Sequence, residues 1–580
     1  MQWATSDLKI NLTALCLLPI VYCPLPIAYR LLPIAYCSFN CYLHQMKIHL
    51  IAFLCLAFSF SASAQRNFDV LHYKFQLTLN ESDTIYGITQ IKAVCVNPDS
   101  VFCFELTPAD SSGRGMYLDA ISNASAMPLK NYQRVRDTIK VEIGHSLNVN
   151  DTFFIAIAYH GIPKDGLIIS ENNYGDKTFF ADNWPDRAHQ WIPCIDDPAD
   201  KASVDFSIFT PPDYRVVANG YYLKGIIVKS GQQFVVWQEQ IPLPTKVMVI
   251  GVAKFLEREY PDSPNGIPVS AWVYHQDFEK GFQNYSLAPS ILKFYSNYIG
   301  PYPYKKLANV QSKTKFGGME NASCIFYYEE SATGGRSLED LLAHEIAHQW
   351  FGDMVTEKNF SHLWLSEGFA TYLTDIYLES VYGTEGMNNR LMRERQMAIN
   401  FKNGRPVVDS LSHPNDMLNA NCYQKGGWIL HMLRRQVGDS LFHQVIRQFY
   451  ERYKGKNADT KDFENVVEEI TQKDFSKFFE QWLYTPGIPV LDVSWKYNSK
   501  TESISVTVEQ KQKQLFEFPL AITIQTKDSE EKTVSLAISK KSQTFNYKVS
   551  DKQVLLTLDP TTSLLFDGRV RKVGPVSIKK

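Results

Sequence analysis

The stretch from Leu341 to Tyr372 constrains this chain more than any other. His344-Glu345-Ile346-Ala347-His348 sets two imidazoles four residues apart, which puts both on one helix face within reach of a metal ion about 2.0–2.1 Å away. Glu345 is turned off that line and stands beside the metal, where it can take a proton from water. Glu367 follows after Gln349 to Ser366, which is room for a turn and the start of a second helix. Two His and one Glu leave a coordination position open, as a catalytic zinc requires, with one ion expected per chain.

A bare His-Glu-x-x-His also arises by chance on surface helices. Here Leu341, Leu342, Ile346, Ala347, Trp350 and Phe351 predict a buried helix, and Ser337 with Asp340 predicts a capping-box-like start. Asp353, just beyond, is expected either to orient a ligating His or to be solvated. Upstream, Phe316-Gly317-Gly318-Met319-Glu320-Asn321 predicts an edge strand beside the metal helix. Paired glycines let a substrate backbone approach and add as a further strand, and Glu320 can pair with a free α-ammonium group.

These two motifs, in this order, resemble the gluzincin metallo-aminopeptidases of the aminopeptidase N type, from about Phe68 onward. The resemblance implies a multidomain α+β chain: an N-terminal antiparallel β saddle domain (65–256), a thermolysin-like, mostly helical zinc peptidase domain (257–485) and a small C-terminal β-sandwich domain (486–580). It implies that Gly317, Gly318, Met319, Glu320 and Asn321 bind substrate. Tyr423, in Tyr423-Gln424-Lys425-Gly426, would donate a hydrogen bond to the developing oxyanion. Many relatives continue into a large helical domain; the short form predicts a more open active site. The segment ending Pro193-Cys194-Ile195-Asp196-Asp197-Pro198 resembles one that often carries an upstream Glu gripping the substrate amine. Trp184 stands in that position, and Asp182 is expected to replace the missing carboxylate.

The pattern along the chain agrees with this division. Tyr73 to Leu79 alternates apolar and polar, Val247 to Val252 reads as a buried strand, and Phe278 to Tyr298 as a first helix. Alternation returns at Ser503 to Val508 and at Leu520, Ile522 and Ile524, and the basic run from Arg569 to Lys580 reads as a solvated end. The sequon Asn321-Ala322-Ser323 overlaps the substrate motif and is read as incidental.

At 580 residues the chain is too long for one core, and a net charge of −2 argues against a nucleic-acid partner. Met46-Lys47, the apolar run Ile48 to Phe60 and Ser61-Ala62-Ser63-Ala64 read as a signal peptide (46–64) cleaved after Ala64. That predicts export to the periplasm or the exterior and no stable membrane span after cleavage. Before Met46, Leu17 to Cys23, Pro24 to Arg30 and Leu31 to Cys37 repeat with a seven-residue period, the signature of a translated short DNA repeat. Residues 1–45 are therefore expected to be spurious upstream translation. The cysteines beyond, Cys95, Cys103, Cys194, Cys324 and Cys422, form no disulfide framework. Cys95 and Cys103 either bridge a hairpin or remain buried thiols. The partner expected is a peptide with a free N-terminus. Alternatives are a zinc endopeptidase, the epoxide-hydrolysing branch of the same family, and a non-catalytic peptide binder; the oligomeric state is not encoded legibly.

Overall fold

The computed structural model describes residues 66–573 except 124, 126, 130, 528, 550 and 551. The upstream repeat, the signal peptide and the end of the basic run lie outside the described residues.

From Phe68 to Glu259 the chain is almost entirely strand. Phe68–Thr78 buries Phe68, Val70, Tyr73, Phe75 and Leu77. Val70 and Tyr73 are three apart, and a register shift between Val70 and His72 absorbs the extra residue so that both face inward. This strand is central to a seven-stranded sheet, between Ile85–Cys95 on one side and Lys201–Thr210 on the other. The second of these pairings is parallel, so the sheet is mixed where an antiparallel one was expected. The long excursion from Ile85 to Ala199 supplies the crossover that a parallel neighbour requires. A four-stranded sheet containing Lys177–Ala181 and Ile250–Ala253 follows. Val247 to Val252 is buried throughout, but its first part is a 3-10 turn, Thr245–Val247, and only Ile250–Ala253 pairs.

The expected helix over 278–298 is two helices, Phe278–Asn284 and Ala288–Tyr298, separated by a 3-10 turn. Pro289 opens the second of them, since its missing N–H is harmless in a first turn. A mostly helical portion then runs to Tyr484. It is fronted by a five-stranded sheet that ends with Cys324–Tyr327 and, at its edge, Gly318–Met319. Beyond Val490 come a four-stranded and a three-stranded sheet. Leu520, Ile522 and Ile524 are buried in the latter. The basic run is not a loose end where it is described: Asp567–Lys572 pairs in parallel with Val490–Asn498, and Arg571 faces Asp492 across that pair. All five cysteines among the described residues are free thiols; the Cys95 thiol donates to the Asn97 carbonyl, 2.9 Å away.

From Asn67 onward the chain forms one unit, and a few buried polar side chains tie its β-rich part to the helical part. Asn219 accepts from the Val249 amide at 2.6 Å and donates to the carbonyls of Val247 and Ala322 at 2.8 and 2.7 Å. The amide of Gly220 donates to Ser323 Oγ. Lys246 places its ammonium 2.5 Å from Glu357, with both side chains almost wholly buried. Removing one partner of such a pair strands the other charge in the interior. Lys246→Met is therefore expected to lower the unfolding free energy in urea by about 3–5 kcal/mol. A loss below about 1 kcal/mol would show that Glu357 is not held as an isolated buried ion.

Candidate active site

The metal motif lies on helix α1, Glu339–His348, which buries Leu342, Ala343, Ile346 and Ala347. The predicted capping box is absent. Leu338 occupies the N-cap position, and the Ser337 hydroxyl is drawn to Thr333 and Asn284 instead. A connection that contains the short strand Thr356–Glu357 and the 3-10 turn Phe360–His362 then leads to helix α2, Trp364–Asn400, which is broken at Gly383 and whose first turn carries Glu367. Gly368 of α2 packs against Gly426 so closely that a Cβ on Gly368 would stand 3.0 Å from the Gly426 backbone. That approach brings Tyr423, on the turn Asn421–Lys425, against the motif; its ring stacks on His344 with centroids 5.8 Å apart.

Three atoms converge. The Nε2 atoms of His344 and His348 are 3.1 Å apart, and Glu367 Oε2 is 3.3 Å from each. Ligands about 2.05 Å from an ion at tetrahedral angles stand about 3.3 Å apart, so this triangle has the size zinc requires. His348 Nδ1 lies 3.1 Å from the Phe351 carbonyl, which can only accept, and 3.0 Å from Ser366 Oγ. A proton is thereby held on Nδ1, and Nε2 is the nitrogen turned toward the other two ligands. Glu367 Oε2 is buried without an ordinary hydrogen-bond donor. Burial by itself disfavours charge on His348, yet Glu367 and Glu320 raise it to about 10: the centre calls for a positive charge.

Glu320 and Glu345 stand beside this triangle. One oxygen of each lies within 4.8 Å of the other and of a His348 ring nitrogen. Gly318–Met319, just before Glu320, is an edge strand paired on one side with Cys324–Tyr327. Gly318 must be glycine, because a Cβ there would run into the Glu345 carboxylate. Burial, reinforced by Glu320 and Glu367 and opposed by His348, pushes the Glu345 carboxyl well above its ordinary range. Burial and the neighbouring Glu367 do the same to the Tyr423 phenol, which stays protonated as a donor.

A cavity of about 340 Å³ opens over the site. Gly317, Gly318, Met319, Glu320, His344, Glu345, His348, Glu367 and Tyr423 all line it. Asn321 does not; it is fully buried below, which also removes the sequon from reach. Asp182 does not line it either. Fully buried, it pairs with Arg187 at 3.2 Å and accepts from the Lys315 amide at 3.2 Å, bracing the loop before Phe316 rather than facing substrate. Asp353 is not solvated and its carboxylate orients no ligating imidazole: the side chain is buried and accepts from Gln349 Nε2 at 3.0 Å, while its amide donates to the His348 carbonyl at 3.1 Å.

Several contributors were not read from the sequence as cavity wall, although Trp184, Phe316 and Leu341 stand in segments it marks. Trp184, Phe316, Leu341 and Leu418 complete the cavity wall. Gln349 donates to the Glu320 carbonyl at 2.6 Å and accepts from the Ser323 amide at 2.7 Å, so one amide fastens the metal helix to the strand carrying Glu320. Its place directly after His348 was the only available sign.

Residues 283–482 match the peptidase family M1 domain, and residues 70–247 match the peptidase M1 N-terminal domain. The chain belongs to peptidase family M1. Peptidases of this family are zinc-dependent, and the donor set of this M1 chain fits that metal. It is 27% identical over 325 residues to probable aminopeptidase 2 of Sulfurisphaera tokodaii, covering 53% of this chain and 41% of the relative. It is 28% identical over 351 residues to aminopeptidase N of Lactococcus lactis, covering 57% and 40%. The chain thus spans less than half the length of these curated relatives. In fold it resembles the crystal structure of Legionella pneumophila aminopeptidase A in complex with aspartic acid, with a TM-score of 0.76 at 16% identity, over 88% of this chain and 60% of that one.

The two kinds of support around the triad should separate on titration. Ser366→Ala removes only an outer partner of His348 and is expected to weaken zinc binding by no more than about 10–100-fold. Glu367→Gln removes a ligand and should weaken it further than that, as read by competition against a chromogenic chelator; equal losses in the two variants would remove Glu367 from the ligand set.

Proposed function

We propose that this M1 chain is a zinc-dependent aminopeptidase that releases the N-terminal residue of peptides, with one zinc per chain held by His344, His348 and Glu367. The observation carrying this reading is the placement of Glu320. Its carboxylate sits within 4.8 Å of Glu345 and a His348 nitrogen, at the end of a strand whose outer edge pairs with no other strand among the described residues. A peptide added along that edge meets Glu320 with its α-ammonium group, and its first peptide bond then lies over the metal ligands. Bound there, zinc would act as a Lewis acid toward the scissile carbonyl and the attacking water.

The chain's own groups carry the remaining steps. Glu345 takes the proton of the attacking water and delivers it to the leaving amine, and a carboxyl raised by burial is suited to both tasks. Tyr423 donates to the carbonyl oxygen as it becomes charged. Gly317, Gly318 and Met319 offer the backbone against which the substrate lies. An endopeptidase would have no use for a buried carboxylate at Glu320, and a non-catalytic binder none for Glu345.

We further propose that the protein is exported, to the periplasm or beyond, after cleavage following Ala64. Intact-mass and N-terminal analysis of the mature protein should begin at Gln65; a mature protein beginning before Met46 would sink the reading of both upstream segments.

Glu345→Gln should keep its zinc and lose about 10²–10⁴-fold in kcat. Tyr423→Phe should lose about 10²–10³-fold in kcat with KM little changed. The decisive assay sets a free peptide against its N-acetylated twin, each with and without a zinc chelator. Chelator-sensitive release of the first residue from the free peptide alone is expected. Cleavage of both would make the enzyme an endopeptidase, and cleavage of neither would favour a binding role.

A further inference from the structure

Two residues past Tyr423, at the end of the same turn, Lys425 is almost wholly buried. No carboxylate pairs with its ammonium among the described residues, in contrast to Lys246, which is as deeply buried and sits against Glu357. Burial alone pushes it down to about 7. What it meets instead is backbone: Nζ donates to the Gly487 carbonyl at 2.8 Å and to that of Thr485 at 3.4 Å. Charged or neutral, the amine keeps a donor for each.

A lone buried ammonium is a cost to folding, and a methionine of similar length would fill the space without it. The amine therefore supplies direction rather than stability. Thr485, Pro486 and Gly487 join the helical portion to the C-terminal sheets, whose first strand starts at Val490. The turn Asn421–Lys425 is thus pinned at both ends. Asn421 Nδ2 donates to the Arg405 carbonyl at 2.9 Å, and Lys425 reaches the junction. Tyr423 lies between these two pins, so the direction of its ring over His344 follows from where they hold the turn. The C-terminal part also grips the helices beside the turn: His431 Nε2 donates to the Thr562 carbonyl at 2.8 Å, and Arg395 of α2 pairs with Asp559. Yet none of the residues lining the cavity lies beyond Tyr423.

We propose that Lys425 is a positioning residue for the Tyr423 phenol, and that through it the junction to the C-terminal sheets governs transition-state binding without contributing a side chain to the cavity. This rests on the aminopeptidase reading above and on the role it gives Tyr423, and adds a dependence on the C-terminal part of the chain.

A double-mutant cycle separates this from plain structural support, since residues that act through one another lose less together than the sum of their separate losses. Lys425→Met, Tyr423→Phe and the pair are loaded with zinc and assayed on a free peptide. Each is also titrated calorimetrically with a phosphinic tripeptide, whose tetrahedral phosphorus places an oxygen where the oxyanion forms. Lys425→Met is expected to lower kcat at least about tenfold and to weaken analogue binding as much, with KM and zinc affinity within about threefold of the parent. In the Tyr423→Phe background the same substitution should cost less than about threefold in either readout. Gly487→Ala approaches from the other side. Gly487 has a φ of +83° and a Cβ there meets nothing within 4 Å, so the substitution strains the turn that carries the carbonyl without crowding it. It should lower kcat in the same direction, again only while Tyr423 is present, and it decides the matter if Lys425→Met does not fold. Additive losses, a raised KM with kcat intact, an unchanged kcat in both variants, or no effect of Tyr423→Phe on either readout overturns the proposal. Absence of turnover on every peptide by the unsubstituted enzyme, with the same non-additive loss in analogue binding, overturns the aminopeptidase reading alone and leaves the positioning role standing.

Discussion

The structure is organised around an electrostatic problem: three carboxylates, Glu320, Glu345 and Glu367, are buried around two imidazoles within a few ångströms. Carboxylates so placed repel one another and have left their hydration behind, so the arrangement persists only with positive charge at its centre and a scaffold that resists relaxation. The scaffold is visible in the uncharged groups. The Phe351 carbonyl and Ser366 hold one imidazole in a single tautomer, Gln349 fastens strand to helix, and paired glycines bring α2 against the turn carrying Tyr423.

What was legible in the sequence was what local chemistry encodes. Two His at helical spacing and a glycine pair before an acid each state their geometry within a few residues, and the structure brings both motifs, with Glu367 from the start of the next long helix, to one cavity. Strand alternation at Phe68–Thr78 and Phe518–Thr526 was readable for the same reason, because one face of each strand is buried.

The misreadings share a different cause. Asp182 and Ser337 take partners from far along the chain, the Lys315 amide and Asn284, besides the nearby Arg187 and Thr333, and Asp353 is turned by its own burial toward Gln349. The parallel pairing of Phe68–Thr78 with Lys201–Thr210 joins residues more than a hundred positions apart, and no local pattern distinguishes it from an antiparallel one. That Trp184, Phe316 and Leu418 share one cavity wall was not legible, because they come from three separated segments and no pattern within any one of them says that they meet.

Asn219, Gly220 and Lys246 belong to the segment matched by the N-terminal family domain, yet they grip Ala322, Ser323 and Glu357 of the other. The loop that follows Glu320 is therefore finished by the β-rich part of the chain. This bears on modularity and descent. The two halves carry separate signatures, but they cannot be traded between relatives like beads on a string, because a foreign N-terminal half must bring its own match for that loop. A chimera built at the seam is expected to succeed or fail at those few buried side chains rather than at the point of joining.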